Sequence, residues 1–264
     1  MAERMGAEIV SVDSMAVYRG LDIGTAKPGP ADQGRVPHHL IDVVAPSEAY
    51  NVARWLTDVA TAIAGIRARG RQILFVGGTP LYLRALRDGL AEVPGEVPEV
   101  RERLRAEVAA IGPAALHHRL AAVDPEAARR IHPNDAKRIV RALEVAASGM
   151  PLSAAFAPAP HAVFSRQMMI VDLSRELLRE RINRRVEQMF AAGLVDETQR
   201  AAAGPGGIGP TASQAAGYTE ALAVLAGNLP LSDAIRLTQT RTRQLAKRQL
   251  TWLRTFPGAV WIAA

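Results

Sequence analysis

Residues 9–28 read IVSVDSMAVYRGLDIGTAKP. Ile9, Val10 and Val12 are β-branched and uncharged, as in a short strand buried on both faces of a parallel sheet. The strand ends in Asp13-Ser14, and the chain then turns through Arg19-Gly20 and Gly24-Thr25 to Lys27-Pro28. Open parallel sheets bind ligands beyond the carboxyl ends of their strands, so a carboxylate there is a candidate for chemistry. The same residues also read as a strand and a loop in which Asp13 caps a turn.

Downstream, the pattern is that of an α/β chain. His38-His39 leads into Leu40–Val44, a second short strand; with no third ligand at a suitable spacing, the pair reads as satisfied histidines rather than a metal site. Val52, Trp55, Leu56, Val59, Ile63 and Ile66 recur at helical spacing between Asn51 and Arg69. Gln72–Val76 is a buried strand followed at once by Gly77-Gly78-Thr79, with Pro80 opening a helix through Arg87. Two glycines and a hydroxyl residue at a helix start make an anion-binding arrangement, although Gly-Gly also serves tight turns alone. Pro94–Pro98 marks a boundary, and helices over 97–111, 114–123, 125–131 and 135–147 then read as a helical insertion spanning 94–160. The Pro/Ala-rich stretch 150–164 reads as a linker. A strand at 168–173 returns to the sheet, a helix runs over 175–192, and a glycine-rich loop covers 204–210. A long helix over 233–255 is capped by Ser232, and 259–262 forms a terminal strand. The core is thus 1–93 with 161–264. Gly209-Pro210-Thr211-Ala212-Ser213 lacks the Gly-Lys-Ser/Thr ending of a phosphate loop and is rejected as one.

With 264 residues and 48% hydrophobic content, the chain can bury a sizeable core. Cysteine is absent, which excludes disulfides and thiolate metal sites. No apolar run is long enough to span a bilayer, so the expectation is a cytoplasmic protein without membrane contact. Net charge is +6 and the pI about 10.3, which favours a polyanionic partner. The distribution says more than the total: Arg236, Arg241, Arg243, Lys247, Arg248 and Arg254 follow Ala234 with no acidic residue among them. Lys137, Arg138 and Arg141 crowd the first turns of another helix, where the dipole disfavours cations. They point either to an external anion or to a solvated face.

The blocks VDSMAVYRGLDIGTAKP, VPHHLIDV, GGTPLYLRAL, RIHPNDAKRIVRALEV, TASQAAGY and TRQLAKRQLTWLR stand in this order over residues 6–254. Together they resemble the bacterial tRNA dimethylallyltransferases. The resemblance implies a P-loop NTPase-like parallel sheet with a helical insertion, and transfer of a dimethylallyl group from dimethylallyl diphosphate to N6 of adenosine 37 in the tRNA anticodon stem-loop. It implies Mg²⁺ as cofactor and a monomer. Asp13 matches the base that accepts the N6 proton, while Thr79 and Arg101 match contacts around the diphosphate and reacting base. Gly77, Gly78, Thr79 and Lys27 match the diphosphate site. Asp13, Ser14, Met15 and Ala16; Lys137, Arg138, Ile139, Val140 and Arg141; Ser213, Gln214, Gly217 and Tyr218; and Lys247, Arg248, Gln249 and Arg254 match tRNA-contact segments. Ala16, Ala45 and Pro80 depart from the family pattern. The first strand and its GxxxxGK[ST] loop have no counterpart, so the chain alone is expected to be poorly soluble and impaired in transfer. The rival reading is a non-catalytic tRNA-binding remnant; prenylation of free adenine nucleotides fits poorly with the basic C-terminal helix.

Overall fold

The computed structural model describes residues 1–90, 93–156 and 168–263. The chain divides into two compact units, Met1–Arg87 with Phe164–Ala264, and Asp88–Val163. The first unit opens with α1 (Ala2–Met5), β1 (Ala7–Val12), α2 (Pro30–Arg35), β2 (His38–His39), α3 (Val52–Ala68), β3 (Gln72–Gly77) and α4 (Pro80–Asp88). The second holds α5 (Pro98–Ile111), α6 (Pro113–Val123), α7 (Pro125–Arg130) and α8 (Ala136–Ala147), closed by a 3₁₀ turn at Leu152–Phe156. The chain then adds β4 (Met169–Asp172), α9 (Arg175–Ala191), α10 (Leu194–Ala203), α11 (Tyr218–Leu225), α12 (Leu231–Leu253) and β5 (Val260–Ala263) to the first unit.

β1 is the centre of a three-stranded parallel sheet, ordered β2-β1-β3. Its register with β3 runs from Ala7↔Gln72 to Val12↔Gly77, so both strands stop at the same level. Val10 and Val12 are fully buried, as central parallel strands require. The α3 face of Trp55, Val59, Ile63 and Ile66 covers one side. Trp55 also donates its indole N–H to the Ser11 carbonyl at 3.2 Å and stacks on Tyr82 of α4 at 4.4 Å. The helix after β3 is thereby fixed against the helix before it. At the opposite end of β1 the buried Glu8 accepts from Arg69 at 3.0 and 2.7 Å and contacts His39 at 2.6 Å. His38 is satisfied by the Val36 carbonyl at 2.7 Å, so both histidines are structural.

Three local expectations are corrected. Residues 40–44 are not a strand: Leu40 (φ 62°) and Asp42 (φ 57°) adopt left-handed backbone, which breaks extension, and only Val44 bridges, to Tyr18. β4 does not return to the three-stranded sheet but pairs with β5, in parallel. Ser232 lies inside α12, whose N-cap is Pro230. Residues 157–164 of the expected linker, with the domain edge at 160–161, lie outside the described residues.

In the second unit Leu104, Leu116, Leu120, Ile131, Ile139 and Leu143 form a separate core. Its polar anchor is Glu144, 1% exposed. Glu144 accepts from Val97 N at 2.8 Å, Arg101 at 2.7 Å and Arg141 at 2.8 Å. Burial alone would raise this carboxyl, but the two guanidinium groups and the Val97 amide hold it below the usual carboxylate range.

Candidate active site

The matched ends of β1 and β3 place Asp13 beside the Gly77–Thr79 turn. Asp13 Oδ1 accepts from Met15 N at 2.7 Å and Ala16 N at 3.3 Å, a side-chain turn that holds the carboxylate at the mouth of the sheet. Oδ2 makes no hydrogen bond among the described residues. Thr79 joins the two strand ends: its Oγ1 accepts from Ser14 N at 3.1 Å and lies 3.4 Å from Ser14 Oγ. Its amide donates to the Val12 carbonyl at 3.1 Å, and its own carbonyl starts α4 by accepting from Tyr82 and Leu83. Gly77 (φ 156°) is obligatory here, since a Cβ would lie 2.3 Å from the Val12 carbonyl oxygen. Burial first, then the neighbouring Tyr18 and Asp13, pushes the Tyr82 phenol up, which keeps it neutral under this site.

The segment after Asp13 is held from two sides. Glu197 of α10, 4% exposed, accepts from Asp22 N at 3.0 Å, Ile23 N at 2.9 Å and Gly24 N at 3.5 Å. The Tyr218 hydroxyl donates to the same carboxylate at 2.6 Å. Nothing in the local sequence marks Glu197; the long-range pairing with the Asp-Ile-Gly amides is a product of the fold. Lys27 closes the other side, with Nζ on the Tyr18 carbonyl, on Asp22 at 2.8 Å and on Asp42 at 2.5 Å.

Several of the expected site residues are engaged within the protein. Lys27 has all three donors engaged and its side chain 4% exposed, so it stabilises the loop. Tyr218, Ile139 and Val140 are buried and contribute to packing. Arg141 is bound to Glu144 and the Pro94 and Gly95 carbonyls. Arg101 pairs with Glu144 and, at 2.5 Å, with Glu96 inside the helical unit. Ser213 and Gln214 side chains both donate to the Pro210 carbonyl, at 3.1 and 3.0 Å, and Gly217 (φ 92°) starts α11.

The basic surface is narrower than the sequence suggests. On α12, Arg236 pairs with Asp233, Arg241 with the buried Glu220, and Arg243 with Asn183. Lys247, Arg248 and Arg254 are exposed and form no ion pair among the described residues. In the helical unit Lys137 is likewise exposed and unpaired among them, while Arg138 contacts Asp135 at 3.5 Å.

A profile described as IPP transferase matches residues 16–256. The chain belongs to the IPP transferase family. Among curated relatives, the family's tRNA dimethylallyltransferase of Anaeromyxobacter dehalogenans is 49% identical over 267 residues, covering 100% of this chain and 88% of its own. That of Myxococcus xanthus is 44% identical over 269 residues, covering 100% and 86%. Among solved structures, the tRNA isopentenylpyrophosphate transferase of Bacillus halodurans is 39% identical with TM-score 0.69, over 99% of this chain and 83% of that one. A eukaryotic dimethylallyltransferase acting on tRNA is 27% identical with TM-score 0.81, over 99% and 68%. The family fold is thus the parallel α/β arrangement seen here.

The family expectation of Mg²⁺ meets no resident cage. Among the described residues no three His, Asp or Glu side chains converge to hold a metal ion, and Asp13 already spends one oxygen on two backbone amides.

Proposed function

We propose that this chain transfers a dimethylallyl group from dimethylallyl diphosphate to N6 of adenosine 37 in the tRNA anticodon stem-loop, in the cytoplasm. The observation that carries the reading is the pairing of the Asp13 carboxylate with the Gly77–Thr79 turn at adjacent parallel strand ends, bridged by Ser14 N and Thr79 Oγ1 at 3.1 Å. In the reaction the adenine N6 forms a bond to C1 of the dimethylallyl group as the bond from C1 to the diphosphate oxygen breaks. The N6 proton passes to Asp13, and the diphosphate leaves with its electron pair. A positioned carboxylate base contributes roughly a hundredfold or more to such a step. The Gly78 amide and the N-terminus of α4 supply positive potential for the departing anion. Thr79 orients the two strand ends towards one another. A divalent cation fits only as a companion of the diphosphate, held by its oxygens and by water.

The base must leave the anticodon-loop stack to reach Asp13, and the exposed cations Lys247, Arg248 and Arg254 suit the RNA backbone. The protein acts as a monomer. The test is nucleoside analysis of an anticodon stem-loop incubated with the protein and dimethylallyl diphosphate, beside a stem-loop carrying guanosine at position 37. The reading predicts N6-dimethylallyladenosine from the first RNA alone. Tight binding of both RNAs with no modified adenosine would identify an RNA-binding remnant instead.

A further inference from the structure

The Gly77–Thr79 turn is gripped from the C-terminal half of α12. Gln249 donates its side-chain N–H to the Gly78 carbonyl at 2.9 Å. A Cβ at Gly78 would lie 3.0 Å from that amide nitrogen, so glycine permits the approach. The helix that follows the turn is held by the same stretch of α12 and its end. The Arg84 guanidinium lies 6.0 Å from the centroid of the Trp252 ring, and that of Arg87 lies 4.6 Å from the Phe256 centroid.

The carbonyl of Gly78 and the N–H of Thr79 belong to one planar peptide unit. Its N–H is taken by the Val12 carbonyl at 3.1 Å, and its C=O receives Gln249. The plane is therefore clamped on both sides, at the point where the turn enters α4. A freely rotating Gly-Gly turn would lose that orientation, since glycine has the least intrinsic restriction of any residue. Meanwhile Lys247 and Arg248, two and one residues earlier on the same helix, line an open hollow of about 360 Å³ with Gln244, Thr251 and Trp252.

We propose that Gln249 is a positioning residue for the diphosphate rather than a contact to RNA: it locks the Gly78–Thr79 peptide and so holds the turn, with Thr79 at the start of α4, in the orientation that meets the anion. This rests on the functional reading above. Preorganised donors act without reorganising as charge develops on the leaving group, so removing the clamp costs both anion affinity and turnover.

The experiment compares Gln249→Ala, Gln249→Glu and the double variant Lys247→Ala/Arg248→Ala with the unaltered protein. Three quantities are read: calorimetric affinity for inorganic diphosphate, tRNA affinity with its salt dependence, and KM and kcat for transfer. Loss of one neutral hydrogen bond predicts about fivefold weaker inorganic diphosphate binding in Gln249→Ala, with a matching rise in KM for dimethylallyl diphosphate. Gln249→Glu shows the same or a larger loss, because a carboxylate cannot donate and faces the carbonyl. tRNA affinity and its salt slope stay within twofold. The double variant gives the reverse signature. Gly78→Ala, which presses on the contact from the turn, reproduces the Gln249→Ala pattern should that variant prove unstable. Weakened tRNA binding with inorganic diphosphate affinity unchanged would overturn the proposal, as would variants indistinguishable from the unaltered protein or an unaltered protein that binds no inorganic diphosphate. Absence of modified adenosine with both ligands bound would contradict the functional reading instead, leaving the Gln249 comparison to be decided by the binding measurements.

Discussion

Gly24 shows how a residue's role depends on a partner nearly two hundred positions away. A Cβ there would lie 2.3 Å from the Tyr218 ring, which is fully buried and hydrogen-bonded to Glu197. Gly24→Ala is therefore expected to destabilise the protein by about 1–3 kcal/mol, the usual cost of overpacking a filled site. Denaturant unfolding measures it; an unchanged midpoint would mean that the Asp22–Gly24 turn yields freely. The sequence marks this segment through Asp13 and its Gly-Thr-Ala-Lys ending, yet assigns Lys27 to an anion. The carboxylates of Asp22 and Asp42 and the Tyr18 carbonyl claim that lysine only after residues 40–44 fold back on the chain. The placement of Asp13 and Thr79 at strand ends was legible from the strand pattern; Glu197 was not, because a lone glutamate in a polar helix carries no local signal.

At the scale of elements, helical spacing located α3, which buries one stripe against the core, and Gly and Pro stops delimited α5 to α9 closely. α2, α10 and α11 escaped. Gly193 (φ 97°), just past the helix expected over 175–192, stands as the N-cap of α10, and Gly217 (φ 92°) as that of α11. The run at 40–44 is apolar enough for a strand but supplies left-handed corners instead. For α12, charge counting alone overstated the free basic surface, because Asp233 and Glu220 neutralise two of its arginines. The two cations that remain beside the hollow make a sharp prediction. Replacing Lys247 and Arg248 with alanine should lower the slope of log affinity for tRNA against log salt by about 1.5, as two fewer phosphates are neutralised. Filter-binding titrations at several salt concentrations read the slope; an unchanged value would return both residues to a solvated face.

For the whole molecule, acid stability is governed in part by the end of β1 opposite the site. The Arg69 hydrogen bonds, opposed by burial and reinforced by His39, bring the Glu8 carboxyl down from 4.5 to about 2. A carboxyl depressed on folding stabilises the protein above its unfolded pKa and loses that contribution as pH falls through its folded pKa. Glu8 is thus worth on the order of 3 kcal/mol at neutral pH, lost between about pH 4.5 and pH 2. Thermal melts across that range should show Glu8→Gln starting lower than the unaltered protein and converging with it near pH 2; parallel curves would assign the acid transition elsewhere. The site end of the same strand carries the central proposal, that Asp13 takes the adenine proton while the exposed cations of α12 meet the RNA. Its most direct measurement sets the transfer rate of Asp13→Ala beside its tRNA affinity. The account predicts turnover reduced about a hundredfold or more, with the dissociation constant for tRNA within twofold of the unaltered protein. Transfer by Asp13→Ala at an undiminished rate would contradict it.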